Sequence, residues 1–350
     1  MSYVWNPPSF QAVLDQARGP AYIGARSPHE APASPWPSRA GSARQDVRAT
    51  GFAGHPWQAG MRPGCRRWRS ARSFQLRRAS TVQGQMGRVI AVANQKGGVG
   101  KTTTAVNLGA CLAQSERRVL LIDLDPQANA TSGCGAAAES LHGSTYDVLT
   151  GQTELGRILH PVEQLPLLSL APAHIRLAGI EVEMATVFGR ERRLAEALAP
   201  VADEFDFILI DCPPSLGTLT INALTAADSV LIPVQCEYYA LEGLSKLFST
   251  VRLVQRYLNP GLQIEGVLLT MYDERLQLSR RVALEVRDYF GAKVYRTNIR
   301  RNVTLAEAPS HGQPVIRYNP VSTGAENYAD LAQEVCAALD GERSAAPAVL

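Results

Sequence analysis

No apolar run in the 350-residue sequence approaches the roughly 18 residues that a membrane-spanning helix needs, so none is predicted. The sequence also lacks a C-x-x-C pair among its six cysteines, which argues against a zinc site or a disulfide framework. Scattered cysteines of this kind are typical of a reducing compartment, and we therefore expect a cytoplasmic location. The 45% of hydrophobic residues and 19% of charged residues are ordinary for a globular protein.

The first 87 residues lack lysine altogether and contain little acid. They hold 12 arginines against Asp15, Glu30 and Asp46, a formal charge of +9, whereas the remaining residues carry a charge of −6. The segment also lacks a sustained helical or strand period and is interrupted by proline, glycine and serine. Because it cannot bury enough apolar surface to offset the entropy of ordering, we predict that residues 1–87 are disordered.

Three interpretations of residues 1–87 are open. The segment is a basic tail for nucleic acid, or a transit peptide rich in arginine and serine, or the product of a start assigned too early, with translation beginning at Met86. The abrupt change in composition at the first strand favours the last interpretation.

From Arg88 onward, apolar runs alternate with helical stretches. The runs RVIAVA, RVLLID, PLLSLAPA, FDFILID, SVLIPV and IEGVLLT are typical of parallel strands that are covered on both faces. Helical patterns lie between them at 102–115, 218–227 and 242–258. This alternation predicts an α/β fold with a mostly parallel sheet and helices on both faces. We predict one domain over residues 88–340 and a flexible tail over 341–350.

The stretch NQKGGVGKTTTAVN, residues 94–107, joins the first predicted strand to the first predicted helix. Its glycines allow backbone N–H groups to close around phosphate oxygens, and the helix N-terminus adds unpaired donors. Lys101 is expected to bridge the β- and γ-phosphates, and the Thr102 hydroxyl to bind Mg²⁺. The usual G-x-x-x-x-G-K-[ST] pattern has glycine where this chain has Gln95, and Lys96 is an additional cation. The predicted nucleotide-binding residues of this loop are Gln95, Lys96, Gly97, Gly98, Val99, Gly100, Lys101, Thr102 and Thr103.

Five blocks of sequence, in the same order, resemble the ParA/Soj family of partition ATPases. The first, KGGVGKTTT, is the deviant Walker A signature, and the others are LLIDLDPQANAT, FDFILIDCPPSLGTLTINAL, LIPVQCEYYALEGL and RRNVTLAEAPSHGQPVIRYNP. The resemblance implies a P-loop NTPase fold, ATP and Mg²⁺ as cofactors, and slow hydrolysis of ATP. It also implies a homodimer that forms on ATP, binds DNA non-specifically on the nucleoid, and is stimulated by a ParB-like centromere-binding protein.

The resemblance assigns the catalytic roles. Lys96 would cross the dimer interface to the phosphates bound by the other subunit. A cation supplied by a partner can be worth about 10³–10⁵ in rate, as arginine fingers show. Lys101 would contact the phosphates of its own subunit, and Asp125 would position the attacking water.

The remaining site residues are assigned in the same way. Asp211 would be the Walker B acid that holds Mg²⁺ through water. Asp123 would complete the predicted metal site, near Mg²⁺ and the Thr102 hydroxyl. The loop CPPSLG would sense the γ-phosphate as a switch. Asn302 would contact the adenine base.

Basic residues are dense between positions 275 and 317, although the domain as a whole is negative. Local contacts with phosphate, rather than net charge, decide whether a protein binds DNA. The resemblance assigns Arg301, in the R-N-V position, to DNA, and Arg275 and Arg317 are further candidates. The family usually has proline where this chain has Arg300, which alters either the packing around the base or the contacts with DNA.

Alternatives remain for the cargo, the membrane and the metal. A MinD-type protein binds membranes through a basic amphipathic C-terminal helix, whereas residues 325–339 are acidic here, which disfavours a membrane partner. A ParA-like factor that positions a protein cargo would use the same ATPase residues. An iron–sulfur cluster, as in nitrogenase iron proteins, is disfavoured because Cys134 and Cys212 lie in no ligand-like pattern.

Overall fold

The computed structural model of the chain describes residues 87–136, 141–163, 165–237 and 244–345. The predictions for residues 1–86 and for 346–350 lie outside the described residues.

A seven-stranded sheet forms the centre of the described domain. Its strands are β1 (Arg88–Val92), β2 (Val119–Asp123), β3 (His160–Pro161), β4 (Leu168–Ala171), β5 (Phe207–Asp211), β6 (Ser229–Gln235) and β7 (Gln263–Thr270). They lie in the order β3-β4-β2-β5-β1-β6-β7, and β3 alone among the described strands runs antiparallel to its neighbour. The mostly parallel sheet is thereby confirmed. The predicted apolar runs cover every strand to within one residue except β3, whose two residues are too few to show a pattern.

Helices cover both faces of this sheet, as the alternation predicted. They are α1 (Lys101–Gln114), α2 (Asn129–Gly133), α3 (Thr145–Leu149), α4 (Ile180–Glu183), α5 (Arg193–Leu198), α6 (Thr218–Ala226), α7 (Leu244–Tyr257), α8 (Gln277–Phe290), α9 (Thr304–Glu307), α10 (Val315–Tyr318) and α11 (Thr323–Ala345). The last helix continues five residues beyond the predicted domain end at 340, because its final turns are rich in residues that favour helix.

The two hydrophobic cores follow from the alternation of side chains along each strand. On β1, Val89 and Ala91 pack with helices α6, α7 and α8, whereas Ile90 and Val92 pack with α1 and α11. All five residues of β2 and of β5 are buried. Burying one leucine or isoleucine side chain contributes about 1.5–3 kcal/mol, so both layers of helices are held firmly against the sheet.

Candidate functional site

The carboxyl ends of β1, β2 and β5 meet at one edge of the sheet. Parallel pairing places Asp211 next to Val92 on one side and next to Asp123 on the other. Open α/β sheets bind ligands at this edge, where loops leave neighbouring strands. The glycine-rich loop therefore leaves β1 directly beside the two carboxylates that the sequence singled out.

The glycine-rich loop follows a backbone path that most residues avoid. Gly98 and Gly100 have φ values of 72° and 85°, in the left-handed region. A Cβ atom built at Gly97 or Gly98 would meet no atom within 4 Å, so both glycines border open space. The loop therefore presents its backbone to a space that a ligand can enter, at the start of the 14-residue helix α1.

Side chains of the loop and of β7, together with a backbone carbonyl of β6, hold this path in place. The Asn94 amide donates to the Pro233 carbonyl at 2.7 Å, and its oxygen accepts from the Lys96 N–H at 3.0 Å. The Thr270 hydroxyl, at the end of β7, donates to the Val99 carbonyl at 2.9 Å. Because Asn94 and Thr270 are buried, these bonds are shielded from water and fix the shape of the loop.

Lys101 is buried at the base of the loop, with 6% of its surface exposed. Its ammonium donates to the Lys96 carbonyl at 3.2 Å. Burial lowers the pKa of Lys101, and the nearby Asp211 carboxylate opposes that shift. The ammonium is thus held between the glycine-rich loop and the acidic end of β5.

Asp211 is the least compensated polar group of the site. Both carboxylate oxygens are buried and have no hydrogen-bond partner among the described residues. The Thr102 hydroxyl lies near this carboxylate and acts to lower its pKa. Burial raises the pKa of Asp211 well above its usual range, and the neighbouring Asp123 raises it further. A divalent cation bound by Asp211 and Thr102 would satisfy these oxygens, so the residues fit Mg²⁺.

Asp123 makes a different set of contacts. Its Oδ1 accepts from the Asp125 N–H at 3.0 Å, and its Oδ2 accepts from the N–H and hydroxyl of Thr131 at 2.8 and 2.7 Å. Burial raises the pKa of Asp123 to about 6, which these hydrogen bonds partly oppose. The structure therefore places Asp123 beside Asp211, with both oxygens engaged in shaping the loop that follows β2.

Asp125 lies in that same loop and is buried. Its Oδ1 accepts from the Gln127 N–H at 2.9 Å. No contact of its second oxygen is found among the described residues. The negative charges of Asp125 and Asp211 both act on Lys101, so the structure brings these three predicted residues together.

Lys96 differs from Lys101 in exposure and in its contacts. It is half-exposed, and its backbone N–H and carbonyl are engaged with Asn94 and Lys101. Its ammonium makes no hydrogen bond or ion pair with any residue in the described part of the chain. The loop thus fixes the backbone of Lys96 and leaves its cation available. Gln95, its neighbour, is also half-exposed.

The residues predicted to bind base and DNA lie on a second group of loops. Asn302 uses its side-chain oxygen to accept from the Thr304 N–H at 2.8 Å, at the start of α9. Arg301 is exposed, and its backbone donates to the Tyr272 carbonyl at 3.1 Å. Arg275, in contrast, forms two side-chain bonds with Asp273, at 2.9 and 2.7 Å. Arg301 and Arg275 thus share one region, because both charges act on Asp273.

Arg317 lies apart from that pair in its contacts. It lines a cavity of about 270 Å³ together with residues from the segments 134–136, 160–163 and 311–314.

Arg300 pairs with Glu274 at 3.6 Å, so this departure from the family pattern adds a surface ion pair. Other basic residues of the dense segment serve the fold, since Arg287 donates to Asn298 at 2.8 Å and Lys293 to the Ile264 carbonyl at 2.9 Å.

Cys134 and Cys212 are both buried near the acidic groups of the site. Burial raises the pKa of the Cys134 thiol to about 12, and the pKa of Cys212 also rises.

Among the described helices, none combines the length and the apolar character that crossing a bilayer requires.

Asn94, Thr131 and Thr270 are site residues that the sequence reasoning did not single out. Thr270 had a usable signal, because it is a polar residue at the carboxyl end of an apolar strand, as Asp123 and Asp211 are. Asn94 is the first residue of the stretch 94–107 but precedes the KGGVGKTTT signature. Thr131 had no comparable signal, since its importance depends on the path of the chain after β2.

Comparison with known proteins agrees with this geometry. The AAA domain family matches residues 87–264. Sporulation initiation inhibitor protein Soj of Bacillus subtilis is 59% identical over 254 residues, which cover 72% of this chain and 99% of that protein. Chromosome partitioning protein ParA of Myxococcus xanthus is 53% identical over 250 residues, covering 71% and 88%.

A solved structure extends the likeness to three dimensions. Cobyrinic acid a,c-diamide synthase of Mycobacterium smegmatis, with bound ADP and magnesium, superposes with a TM-score of 0.65 and 40% identity. The match covers 73% of this chain and 97% of that one. The curated partition proteins are more similar in sequence and cover comparable lengths, so they define the relationship. The chain belongs to the ParA/Soj family of chromosome-partitioning ATPases.

Proposed function

We propose that this protein binds and hydrolyses ATP with Mg²⁺, and that ATP controls its binding to DNA during segregation of a chromosome or plasmid. The observation that carries the proposal is the buried Asp211 carboxylate, whose oxygens have no hydrogen-bond partner among the described residues, beside Lys101 and Thr102. Such a group is costly in an empty site and is satisfied by a cation held with a nucleotide. The M. smegmatis structure, with ADP and magnesium, supports the same ligands here.

The residues divide the work of phosphate binding and hydrolysis. Backbone N–H groups from Gly97 to Thr103 would surround the phosphates, and Lys101 would contribute a charge within the subunit. Thr102 and Asp211 would hold Mg²⁺, which neutralises charge on the phosphates. Asp125, with a free carboxylate oxygen among the described contacts, would orient the attacking water. Asp123 would hold Asp125 in place through the 3.0 Å bond to its backbone.

Lys96 would act on the site of the other subunit. Its fixed backbone and available ammonium suit a cation that must reach across an interface. A homodimer that requires this cation at each site can form only when the phosphates are present. Dimerisation would in this way depend on ATP.

DNA binding would follow from dimerisation. Arg301 is the strongest candidate for a phosphate contact because it is exposed, whereas Arg275 must first leave Asp273. Asn302 would contact the adenine, and Arg317 would extend the basic surface. A dimer presents each contact twice, which strengthens binding and its dependence on salt. A ParB-like partner would then stimulate hydrolysis and release, on the nucleoid in the cytoplasm.

DNA binding measured with ATP, ADP or no nucleotide, over a series of salt concentrations, tests both halves of the proposal together. The full chain with Mg²⁺-ATP should bind DNA more tightly than with ADP, and its affinity should fall steeply with salt. Binding that is independent of nucleotide at every salt concentration would contradict the proposed switch. ATP hydrolysis measured in the same samples separates a failure of the ATPase from a failure of DNA binding.

A further inference from the structure

The short helix α4 contacts two helices, α3 and α6, which lie downstream of β2 and β5 in the chain. Glu181 Oε1 accepts from the backbone N–H of Thr218, the first residue of α6, at 3.2 Å. Glu183 Oε2 accepts from the hydroxyl of Tyr146, in α3, at 2.5 Å. Each bond joins residues that are 37 positions apart in the sequence. A helix of four residues therefore joins α3 to α6.

The bond to Thr218 fixes the end of the loop that follows Asp211. The N-cap residue of α6 is Gly217, which has no side chain to cap the helix, and Glu181 supplies an acceptor from outside. A Cβ atom built at Gly217 would lie 1.7 Å from Glu181 Oε1. The carboxylate thus occupies the space that any side chain at position 217 would need. Gly217 is extended, at φ −89° and ψ −163°, which alanine also adopts.

The bond to Tyr146 connects α4 to helix α3, which contacts the end of β2. The hydroxyl of Thr145, at the start of α3, donates to the Asp123 carbonyl at 2.9 Å. Arg176 stacks on the Tyr146 ring at 4.2 Å and pairs with Asp147 at 2.6 Å. These contacts fix the position of Tyr146, and the bond from Tyr146 to Glu183 connects α4 to α3.

We propose that α4 is a strap that couples α3, which is bonded to the end of β2, to α6, which follows the loop after β5, with Glu181 and Glu183 as positioning residues for ATP hydrolysis. This inference rests on the proposed ATPase function. The loop after β2 holds Asp125, and the loop after β5 runs from Asp211 to Gly217. Because both glutamates belong to one helical turn, movement of either helix pulls on the other. The strap keeps the relative positions of Asp125 and the loop after Asp211 unchanged when phosphate binds.

Three single variants and one double variant test the strap by steady-state ATPase kinetics. Glu181→Ala should lower kcat about tenfold, equivalent to one charged hydrogen bond, and change KM for ATP less than about twofold. Glu181→Gln keeps an acceptor oxygen and should stay within about twofold of the wild type. Gly217→Ala should reproduce the loss by displacing the carboxylate. The double variant Glu181→Ala/Gly217→Ala should lose no more than either single variant, because both remove one contact.

Glu154→Ala is the matched control, since Glu154 is an exposed glutamate in a surface ion pair with Arg157 at 3.2 Å. It should keep the wild-type kcat and KM. Additive losses in the double variant, or a loss in Glu181→Gln equal to that in Glu181→Ala, would overturn the positioning role. So would wild-type kinetics in both Glu181→Ala and Gly217→Ala.

Amide hydrogen exchange tests the coupling without requiring hydrolysis. Glu181→Ala should speed exchange at Thr218 and also at the amides of Val148 and Thr150, whose hydrogen bonds close α3. Faster exchange at Thr218 with unchanged exchange in α3 would overturn the strap, whatever the ATPase rates are. A wild-type chain without ATPase activity would contradict the proposed function, while the exchange data would still decide whether α4 couples the two helices.

Discussion

At the scale of single residues, the site contains a carboxylate, Asp211, whose ionised form is destabilised by its surroundings. Asp211 is fully buried, carries no hydrogen bond among the described residues, and lies beside the equally buried Asp123. Desolvation and like charge both penalise its ionised form. A cation bound with nucleotide would compensate this charge, whereas the nucleotide-free protein bears the cost of burying it. Stability and function are therefore opposed at this position.

Asp211→Asn should stabilise the nucleotide-free protein by about 1–3 kcal/mol, because it removes a buried charge. The variant should not hydrolyse Mg²⁺-ATP, because the proposed Mg²⁺ site loses its carboxylate. The folded-state pKa of Asp211 lies above the unfolded value, so the folded state binds more protons. The wild-type free energy of unfolding should therefore decline as pH rises from about 4 through the folded-state pKa. The variant should lack this part of the decline.

Urea unfolding in the absence of Mg²⁺, over a range of pH, measures both effects. Asp203→Asn, at an exposed position, is the control and should keep the wild-type dependence on pH. If Asp211→Asn is less stable than the wild type at neutral pH, the surroundings of Asp211 stabilise its ionised carboxylate, which contradicts the prediction.

How far sequence alone predicts this site depends on where the information lies. Lys101, Thr102 and Asp211 can be predicted as site residues because the local motif and the end of a strand specify them. The contacts of Asp123 with Thr131, and of Glu181 with Thr218, join segments that no local pattern connects. Residues whose role depends on such long-range contacts were missed or were given a different part.

At the scale of elements, the end of β7 supports the glycine-rich loop. Thr270 Oγ1 donates to the Val99 carbonyl across 171 positions of sequence, and both residues are buried. The apolar run of β7 was readily predicted, because a strand covered on both faces needs continuous apolar residues. The two-residue β3 and the four-residue α4 were not, since elements so short have no period.

Thr270→Val should weaken ATP binding about fivefold and destabilise the protein by about 1 kcal/mol, because the Val99 carbonyl loses a buried donor while the shape is nearly retained. Isothermal titration with ATP and thermal unfolding measure the two effects. Thr250→Val is the control, because the one bond found for the Thr250 hydroxyl among the described residues lies within α7, to the Lys246 carbonyl at 3.2 Å. Equal effects of the two variants would contradict a specific role for Thr270.

At the scale of the whole molecule, the distribution of charge matters more than its sum. The chain carries a formal charge of +3, but the residues after 87 are net negative. Several arginines of the basic segment are already paired, including Arg275, Arg281 and Arg296. The proposed interface with DNA would therefore rely on a few exposed cations, and the proposed pairing of two subunits would double their number.

Arg301→Ala should weaken ATP-dependent DNA binding at all sequences alike. Each lost phosphate contact should reduce the magnitude of the salt slope by about 1 per subunit. Fluorescence anisotropy with labelled duplexes, over a series of salt concentrations, measures the slope. Arg157→Ala removes an exposed arginine that pairs with Glu154 and should leave the slope unchanged. A wild-type slope in Arg301→Ala would remove this residue from the interface.

Sedimentation velocity of the wild type and of Lys96→Ala, each with Mg²⁺-ATP and with ADP, tests the central role of the additional lysine most directly. The wild type should form dimers with ATP and remain monomeric with ADP, whereas Lys96→Ala should bind ATP and stay monomeric. Dimers of Lys96→Ala as stable as those of the wild type would contradict the account, and so would a wild type that stays monomeric when saturated with ATP.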